Sequence, residues 1–375
     1  MEFFNPLKPT QPDPFPNPVI RGSKFRRVNV LISGQLERKA VIESGSGNYY
    51  EIGAPLKKAI FGQVVLAVLL APAEGDCFVR TESQRAIKIY SKRTLRALQG
   101  RTAENPLVEI TALQFIGDTH PNIMGQIECC TDEDNIYSVM RFCPGGELFD
   151  FIDLHGPMGD SRARSMFRQL MCGMSHLASL GIAHRDMSLE NMLYDDAGEL
   201  FVIIDFGMCL RCQKEDPKSG LGPLDANLGQ KGQFDPNSGQ MELEDPDSGQ
   251  RQGQGQGGGA QTRFHPMFKQ TVCGKRNYIS PEVLREDPVF NPMLADVWAA
   301  GVILFIALTG VPPVDTATVA DERFQMIRDN KLAEMLHSWN LHIDPRAVDL
   351  MQRILRPEPA ARLTLRQIQE HPWMS

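Results

Sequence analysis

The sequence lacks a long hydrophobic run and an excess of basic residues. Its longest strongly apolar stretch, VWAAGVILFIAL at residues 297–308, has 12 residues, whereas a helix that spans a bilayer needs about 20. Lysine and arginine number 39 against 46 acidic residues, so the net charge is −7. Nucleic-acid-binding domains usually show a strong basic excess. We therefore expect neither a membrane nor a nucleic acid among the partners.

The sequence also lacks the marks of a secreted protein. Its first 18 residues contain six prolines and no apolar segment, which does not fit a signal peptide. The eight cysteines are scattered, unlike a disulfide framework. Cys209 and Cys212 have the spacing of a zinc or redox pair, but no second pair completes a four-ligand zinc site. We expect reduced thiols and an intracellular location, cytoplasmic or nuclear.

The pattern of apolar residues changes from strand-like to helical along the chain. Residues 1–48 are a Pro-rich N-terminal extension, predicted to be partly disordered and to hold a strand or two. Strands are predicted at 61–71, 84–91 and 135–142, with a loop, APAEGDCFVRTE, between the first two. Helical spacing appears at 107–116 and 163–181. The pattern predicts an α+β domain at 49–373, with a small β-rich lobe (49–142) and a larger α-helical lobe (143–373).

A polar insert interrupts the second lobe at residues 213–261. Its 49 residues include 11 glycines and 9 glutamines. Short copies of one motif recur in it, as DPKSG, DPNSGQ and DPDSGQ, but they are too short and polar for a solenoid. Such a composition buries too little apolar surface to offset the entropy of ordering. We predict that the insert is disordered.

Several stretches supply, in order, the parts that phosphoryl transfer requires: a cation, a carboxylate for the attacking hydroxyl, and metal-binding oxygens. Lys88 ends the strand motif AIK, and Glu109 in the next helix is its candidate partner. The stretch HRDMSLEN contains Asp186 and Asn191, and DFG contains Asp205. Each piece alone is weak, because a lone lysine is usually solvated and DFG can be a turn. Their order and spacing carry the prediction.

Together these stretches resemble a eukaryotic protein kinase of the Ser/Thr type, with a catalytic domain similar to the calcium/calmodulin-dependent group. Five further stretches fit: HPNI, MRFCPGGELFD, NYISPEV, DVWAAGVIL and ARLT, whose Arg362 would partner Glu282. The resemblance implies a bilobal kinase-like fold. Its first lobe would be an antiparallel sheet with one key helix, and ATP would bind between the lobes.

The resemblance also implies roles for single residues. Lys88 would contact the ATP phosphates and pair with Glu109, Asp186 would be the catalytic base, and Asn191 and Asp205 would hold Mg²⁺. The positions that would bind ATP are Gly62, Val64, Ala86, Lys88, Met140 (the gatekeeper), Cys143, Glu147 and Leu193.

The glycine-rich loop departs from the family pattern GxGxxGxV. Here the stretch is KKAIFGQV at residues 57–64, so Lys57 and Ala59 replace two of the three glycines and only Gly62 remains. Glycine lets a backbone approach phosphates closely. We therefore expect weaker ATP binding, partly offset by the charges of Lys57 and Lys58.

The catalytic loop departs from the family at Ser188, where a lysine would neutralise the γ-phosphate. The activation segment departs at Lys275, where the family has a threonine after Gly274. Cation and hydroxyl therefore look exchanged, and we predict that the Lys275 ammonium lies in the cleft beside Asp186. The alternative is an exposed Lys275 and a crippled enzyme.

Regulation and substrate choice follow from the resemblance alone. Thr271 is the candidate site of regulatory phosphorylation, by an upstream kinase or by autophosphorylation, and Arg185 would bind its phosphate. Glu147 and Glu190 resemble positions that receive basic residues, so the expected partners are protein substrates with basic residues near the phosphoacceptor. The sequence has no DxDxDG calcium loop.

Two other functions stay open from the sequence. A pseudokinase would keep the fold as a binding or scaffold module, and the altered glycine loop and Ser188 favour it. A small-molecule kinase is disfavoured by NYISPEV, which resembles a peptide-docking element. The retained Lys88, Glu109 and Asp205 favour an active protein kinase.

Overall fold

The computed structural model describes residues 15–99, 101–102, 104–195, 199–212, 267–268, 273–287 and 289–375. The predicted disordered insert at 213–261 and the candidate phosphorylation site Thr271 lie outside the described residues.

The β-rich first lobe is a closed barrel of seven strands, in the order β1-β2-β3-β4-β5-β7-β6 with a further pairing of β1 and β5. The strands are β1 (Arg21–Ile32), β2 (Gln35–Ser44), β3 (Tyr49–Ala59), β4 (Gly62–Ala73), β5 (Cys77–Ser91), β6 (Glu128–Thr131) and β7 (Asn135–Arg141). A small core inside the barrel includes Ile42, Val65, Ile87 and Val139. These residues are apolar and mostly β-branched, which suits a pleated, buried surface.

Strand β1 makes the lobe different from the expected antiparallel sheet. It pairs antiparallel with β2 but parallel with β5 and β6. Val30 of β1 is buried against Val41 and Leu70, and this apolar contact fixes the strand to the barrel. Residues 21–44 of the predicted extension therefore belong to the same sheet as residues beyond 49. The predicted domain boundaries themselves stay a prediction.

Strand β5 is longer than the sequence pattern indicates. The loop predicted before residue 84 is wrong over most of its length, because β5 already begins at Cys77. The backbone of residues 77–80 pairs with Leu70–Ala73 of β4. Hydrogen bonds to an existing strand stabilise polar residues such as Arg80 and Thr81 in an extended conformation, so only residues 74–76 remain as the turn.

The second lobe is mainly helical. The helices in the described part of the chain are α1 (Lys92–Leu98), α2 (Pro106–Ile116), α3 (Leu148–His155), α4 (Asp160–Ser179), α5 (Pro281–Leu284), α6 (Pro292–Thr309), α7 (Glu322–Arg328), α8 (Leu332–Ser338), α9 (Pro345–Ile354) and α10 (Leu365–Gln369). Short strands form three pairs: β8 (Ile182–Ala183) with β11 (Leu210–Arg211), β9 (Met192–Asp195) with β10 (Leu200–Ile203), and β12 (Met267–Phe268) with β13 (Val289–Phe290).

Helix α6 is the centre of the helical lobe. Asn291 caps its first turn by accepting a hydrogen bond from the Met293 N–H, and Gly310 ends it with φ 78°, a conformation that glycine adopts without strain. The helix packs against α4 and α9. By length and composition it is apolar enough to cross a membrane, but 83% of it is buried inside the protein, which is typical of a core helix.

A buried ion pair fixes the end of the activation segment to this lobe. Both carboxylate oxygens of Glu282, in α5, accept hydrogen bonds from Arg362, at 2.7 and 2.6 Å. Arg362 also donates to the backbone carbonyls of Arg356 and Leu294. Because the guanidinium is fully hydrogen-bonded, its burial is compensated. The pairing is the one that the resemblance implies.

Candidate active site

The cleft between the lobes contains a buried lysine–glutamate pair. Lys88 lies in β5 between β4 and β7, and its Nζ donates to the two carboxylate oxygens of Glu109 in α2 at 2.6 and 2.8 Å. Burial works against the charge of Lys88, but the carboxylates of Glu109 and Asp205 outweigh it and raise the pKa of Lys88. Lys88 is therefore a fixed cation facing the cleft.

Helix α2 places Glu109 by its N-terminal cap. The side chain of Asn105 accepts hydrogen bonds from the N–H groups of Leu107 and Val108, and Pro106 occupies the first turn, where a missing N–H costs nothing. The Asn105 N–H also donates to the carbonyl of Gly207 at 2.9 Å. The helix start is thus hydrogen-bonded directly to the DFG glycine.

The catalytic loop is held from beneath by Asp296 of α6. The backbone N–H groups of His184 and Arg185 donate to the two Asp296 oxygens at 2.7 and 2.8 Å. The His184 ring donates from Nε2 to the Ile204 carbonyl at 2.8 Å and accepts the Asp186 N–H at Nδ1. Arg185 has φ 69°, a strained value for a non-glycine residue. These contacts hold Asp186 in place through its backbone.

Asp186 has one engaged and one free carboxylate oxygen. Asn191 Nδ2 donates to Asp186 Oδ2 at 2.8 Å and to the Asp186 carbonyl at 2.7 Å. Asp186 Oδ1 is buried and has no hydrogen-bond partner within the described part of the chain. A desolvated acceptor without a donor is costly. An incoming hydroxyl would satisfy it.

Asp205 and Asn191 supply oxygens that suit a divalent metal ion. Burial acts to raise the pKa of Asp205, but Lys88 and the Gly207 N–H outweigh it, and the pKa lies below the usual value. Because Asn191 uses its Nδ2 for Asp186, its amide oxygen remains as a ligand. Mg²⁺ is usually bound by one or two protein groups together with phosphate oxygens, so this small oxygen set fits it.

The described residues show no zinc-type cluster. Among them, no group of three or more histidine, cysteine, aspartate or glutamate side chains is arranged to hold a metal. Cys209 and Cys212 are free and buried, and burial raises the pKa of Cys212 to about 12. A thiol that resists deprotonation is a poor metal ligand and nucleophile.

Lys275 reaches the catalytic loop from the activation segment. Its Nζ donates to Ser188 Oγ at 2.8 Å and lies 3.4 Å from Asp186 Oδ2. Gly274 permits this approach, because it has φ 98° and a Cβ there would lie 3.2 Å from the Arg185 carbonyl. The ammonium stands beside Asp186, where the exchange of cation and hydroxyl predicts it.

The cleft itself has a volume of about 460 Å³. Most predicted site residues line it: Val64, Ala86, Lys88, Glu109, Met140, Asp186, Asn191, Leu193, Asp205 and Lys275. The other four predicted positions lie beside it. Cys143 is buried after the hinge, Ser188 is buried under Lys275, and Glu147 forms an ion pair with Lys57. A Cβ at Gly62 would lie 1.9 Å from the Ile89 carbonyl, so that position requires glycine.

Sequence reasoning missed several residues that line the cleft, among them Glu104, Leu113, Met124, Ile204 and Met208. Met124 follows HPNI, and Ile204 and Met208 flank DFG, so closeness to a motif was a signal for these three. Leu113 stands in no motif and reaches the cleft through the packing of α2. Glu104 precedes the cap of α2, and burial together with the nearby Asp205 raises its pKa. The only signal for it was its place directly before Asn105.

Of the predicted pair of Arg185 and a phosphorylated Thr271, Arg185 alone lies within the described residues. Arg185 donates from its guanidinium to the Met208 carbonyl at 3.3 Å, and Thr271 lies outside the described residues. The phosphorylation site stays a prediction.

Comparison with known proteins agrees with this geometry. The sequence model of the protein kinase domain matches residues 76–224 and 255–374, which is most of the chain, so the chain belongs to the protein kinase family. The α+β bilobal fold predicted from the motifs is confirmed. Members of this family use ATP and a divalent metal ion.

The chain is also similar to curated plant kinases. CBL-interacting protein kinase 1 from Oryza sativa subsp. japonica is 29% identical over 343 residues, covering 92% of this chain and 59% of the relative. CBL-interacting serine/threonine-protein kinase 26 from Arabidopsis thaliana is 30% identical over 328 residues, covering 86% and 58%. The chain spans between half and three fifths of the length of these relatives.

Proposed function

We propose that the protein transfers the γ-phosphoryl group of Mg-ATP to serine or threonine hydroxyls of proteins. The observation that carries this proposal is Asp186, whose Oδ1 is buried and has no donor among the residues that the structure describes, while cations stand on both sides of the cleft. Two relatives support the substrate class, because both are kinases by name and one is named a serine/threonine-protein kinase.

Each residue has a defined task in this reaction. Asp186 Oδ1 orients the attacking hydroxyl and accepts its proton, and Asn191 holds the other oxygen in place. Lys88, kept protonated by Glu109, offers a cation to the phosphates. Asp205 and the Asn191 oxygen would hold Mg²⁺, which when bound neutralises charge on the phosphate oxygens. Positioning and electrostatics supply most of the rate enhancement in such reactions.

Lys275 supplies the cation that the catalytic loop lacks. Its ammonium lies within hydrogen-bond distance of Ser188 and beside the carboxylate that meets the hydroxyl. Negative charge develops on the transferred group there, in a site with little water. A cation at this point stabilises the transition state more than the ground state. This supports an active kinase over a pseudokinase.

The proposal includes a preference for substrates with basic residues, because Glu147 and Glu190 resemble family positions that receive basic residues of the substrate. It also includes activation through phosphorylation of Thr271 and a cytoplasmic or nuclear location. Mass spectrometry of the purified protein after incubation with Mg-ATP checks the phosphorylation of Thr271. Imaging of the tagged chain in cells checks the location.

The decisive test is incubation with Mg-ATP and basic serine- or threonine-containing peptides, using Asp205→Ala as the matched control. We expect phosphate incorporation by the wild type and none by the variant. Incorporation that survives the substitution would come from a contaminant. Absence of incorporation by a folded, nucleotide-binding wild type would instead identify a scaffold module.

A second test concerns the altered glycine loop. We expect the double variant Lys57→Gly, Ala59→Gly to bind ATP more tightly than the wild type, because glycine lets the backbone approach the phosphates. Titration calorimetry with Mg-ATP measures this. Equal affinities would show that the two substitutions in the natural loop carry no penalty.

A further inference from the structure

An ion pair joins the two sides of the cleft at Lys57 and Glu147. Lys57, at the end of β3, donates from Nζ to Glu147 Oε1, directly before α3. Lys57 stands where the family pattern has its first glycine, so the family pattern provides no side chain at this position. The contact joins the loop above the cleft to the lobe beneath it. The contact therefore exists because this chain departs from the glycine pattern at Lys57.

The structure holds Glu147 in place independently of Lys57. Its backbone pairs with Leu193 across the edge of β9, and the preceding Gly146 carbonyl accepts the Tyr194 N–H at 2.9 Å. Its own carbonyl accepts the Phe151 N–H at 3.2 Å in the first turn of α3. The backbone that carries the carboxylate is thus fixed to the lower lobe, while Lys57 reaches the carboxylate from above with 60% of its side chain exposed.

The second acidic position differs from the first. Glu190 lies in the short 3-10 turn after Ser188 and lines the cleft. Its Oε2 is buried and has no hydrogen-bond partner within the described ranges. Of the two carboxylates that would receive basic residues of a substrate, Glu147 is neutralised by a lysine of the protein itself, whereas Glu190 has the uncharged hydroxyl of Tyr278 beside it.

We propose that Lys57 determines substrate specificity by occupying Glu147, so that Glu190 alone reads a basic residue of the substrate. This inference rests on the proposed function. Lys57 is tethered near its partner and competes at a high effective concentration with a cation on a free peptide. Because a half-exposed ion pair is weak, the competition lowers the preference at one peptide position without abolishing phosphorylation.

The test uses a peptide library in which arginine is placed at each position around one serine. For Lys57→Ala we expect preference for arginine at one additional position, with kcat/KM there rising roughly two- to fivefold, the range of an exposed ion pair. Lys57→Arg keeps the cation and should behave as the wild type. Adding Glu147→Gln to Lys57→Ala should cancel the gain. Lys58→Ala removes the same charge from the next position and should leave the preference unchanged.

Binding of the same peptides, labelled and followed by fluorescence anisotropy, gives a readout that does not depend on turnover. The proposal is overturned if Lys57→Ala changes only the KM for ATP, or if the gain survives Glu147→Gln. It is equally overturned if Glu190→Gln leaves the wild-type arginine preference intact. Failure of the proposed function looks different: no peptide would be phosphorylated by the wild type, while the binding differences between variants would still decide the role of Lys57.

Discussion

Two lysines serve the same cleft from opposite lobes, and they are held in different ways. Lys88 is only 13% exposed and meets both oxygens of Glu109. Lys275 is 36% exposed, and its Nζ lies 3.4 Å from Asp186 Oδ2 and donates a hydrogen bond to the Ser188 hydroxyl. Lys88 thus has a dedicated partner, whereas Lys275 has a serine and a side contact with Asp186.

The difference follows from what each cation must do. A cation that holds phosphates from the ground state onward is best fixed by a buried carboxylate, which also sets the position of α2. A cation that answers charge developing on the transferred group needs freedom from a full ion pair, because a strong partner would compete with that charge. The two sites therefore divide binding and catalysis between a rigid lysine and a looser one.

The largest effect should come from breaking the rigid site. We expect Lys88→Met to lower kcat/KM about a thousandfold, because one fixed charge in a water-poor site is removed and Glu109 loses its partner. Steady-state kinetics with a basic peptide measures this. Circular dichroism must show a folded variant, and an intact rate in a folded variant would remove Lys88 from the catalytic machinery.

Breaking the looser site should cost less. Lys275→Met is expected to lower kcat about a hundredfold with a smaller change in the KM for ATP, because the charge acts mainly in the transition state. The matched control is Arg276→Met, which removes the neighbouring exposed cation. If kcat is the same in Lys275→Met and the wild type, Lys275 does not contribute to catalysis.

Reversing the exchange sharpens the comparison further. The pair Ser188→Lys with Lys275→Thr restores the family arrangement, and we expect it to recover about tenfold in kcat over Lys275→Thr alone. The space that Lys275 leaves beside Asp186 receives the new side chain. A double variant no faster than the single one would mean that cation and hydroxyl are not interchangeable here.

The smallest expected effect concerns alkaline stability. The pKa of Lys88 is raised above its ordinary value of 10.5, so its proton contributes stability that is complete below that pH and is lost as pH rises through the folded value. The wild type should therefore lose more free energy of unfolding above pH 10.5 than Lys88→Met does. Urea unfolding at a series of alkaline pH values checks this, and parallel curves would contradict it.

The sequence predicted the parts of the site that local spacing encodes. Lys88, Asp186, Asn191 and Asp205 sit in short motifs whose order fixes their roles, and the placement of Lys275 followed from a second departure in the same set. The order of these motifs along the chain indicates the fold, and the strands and loops of that fold bring the residues together.

The rest depended on contacts between distant parts of the chain. Nothing in the pattern of β1 indicates parallel pairing with β5 and β6, because strand partners are chosen by tertiary packing. The ion pair of Lys57 with Glu147 could not be predicted from either motif alone. The position of Glu104 in the cleft was hidden for the same reason, since it lies beside Asp205 and Gly207 of the other lobe.

The parallel pairing of β1 has a consequence for the order in which the protein forms. Its residues Arg21 and Gly22 meet Cys130 and Thr131, more than a hundred residues later in the chain, and such distant contacts slow folding. A growing polypeptide presents β1 long before its parallel partners β5 and β6 exist. Until β6 is made, the hairpin of β1 and β2 exposes an open edge, the kind of surface that pairs with other chains. The barrel is thus a late-closing unit, most exposed to aggregation while it is being synthesised.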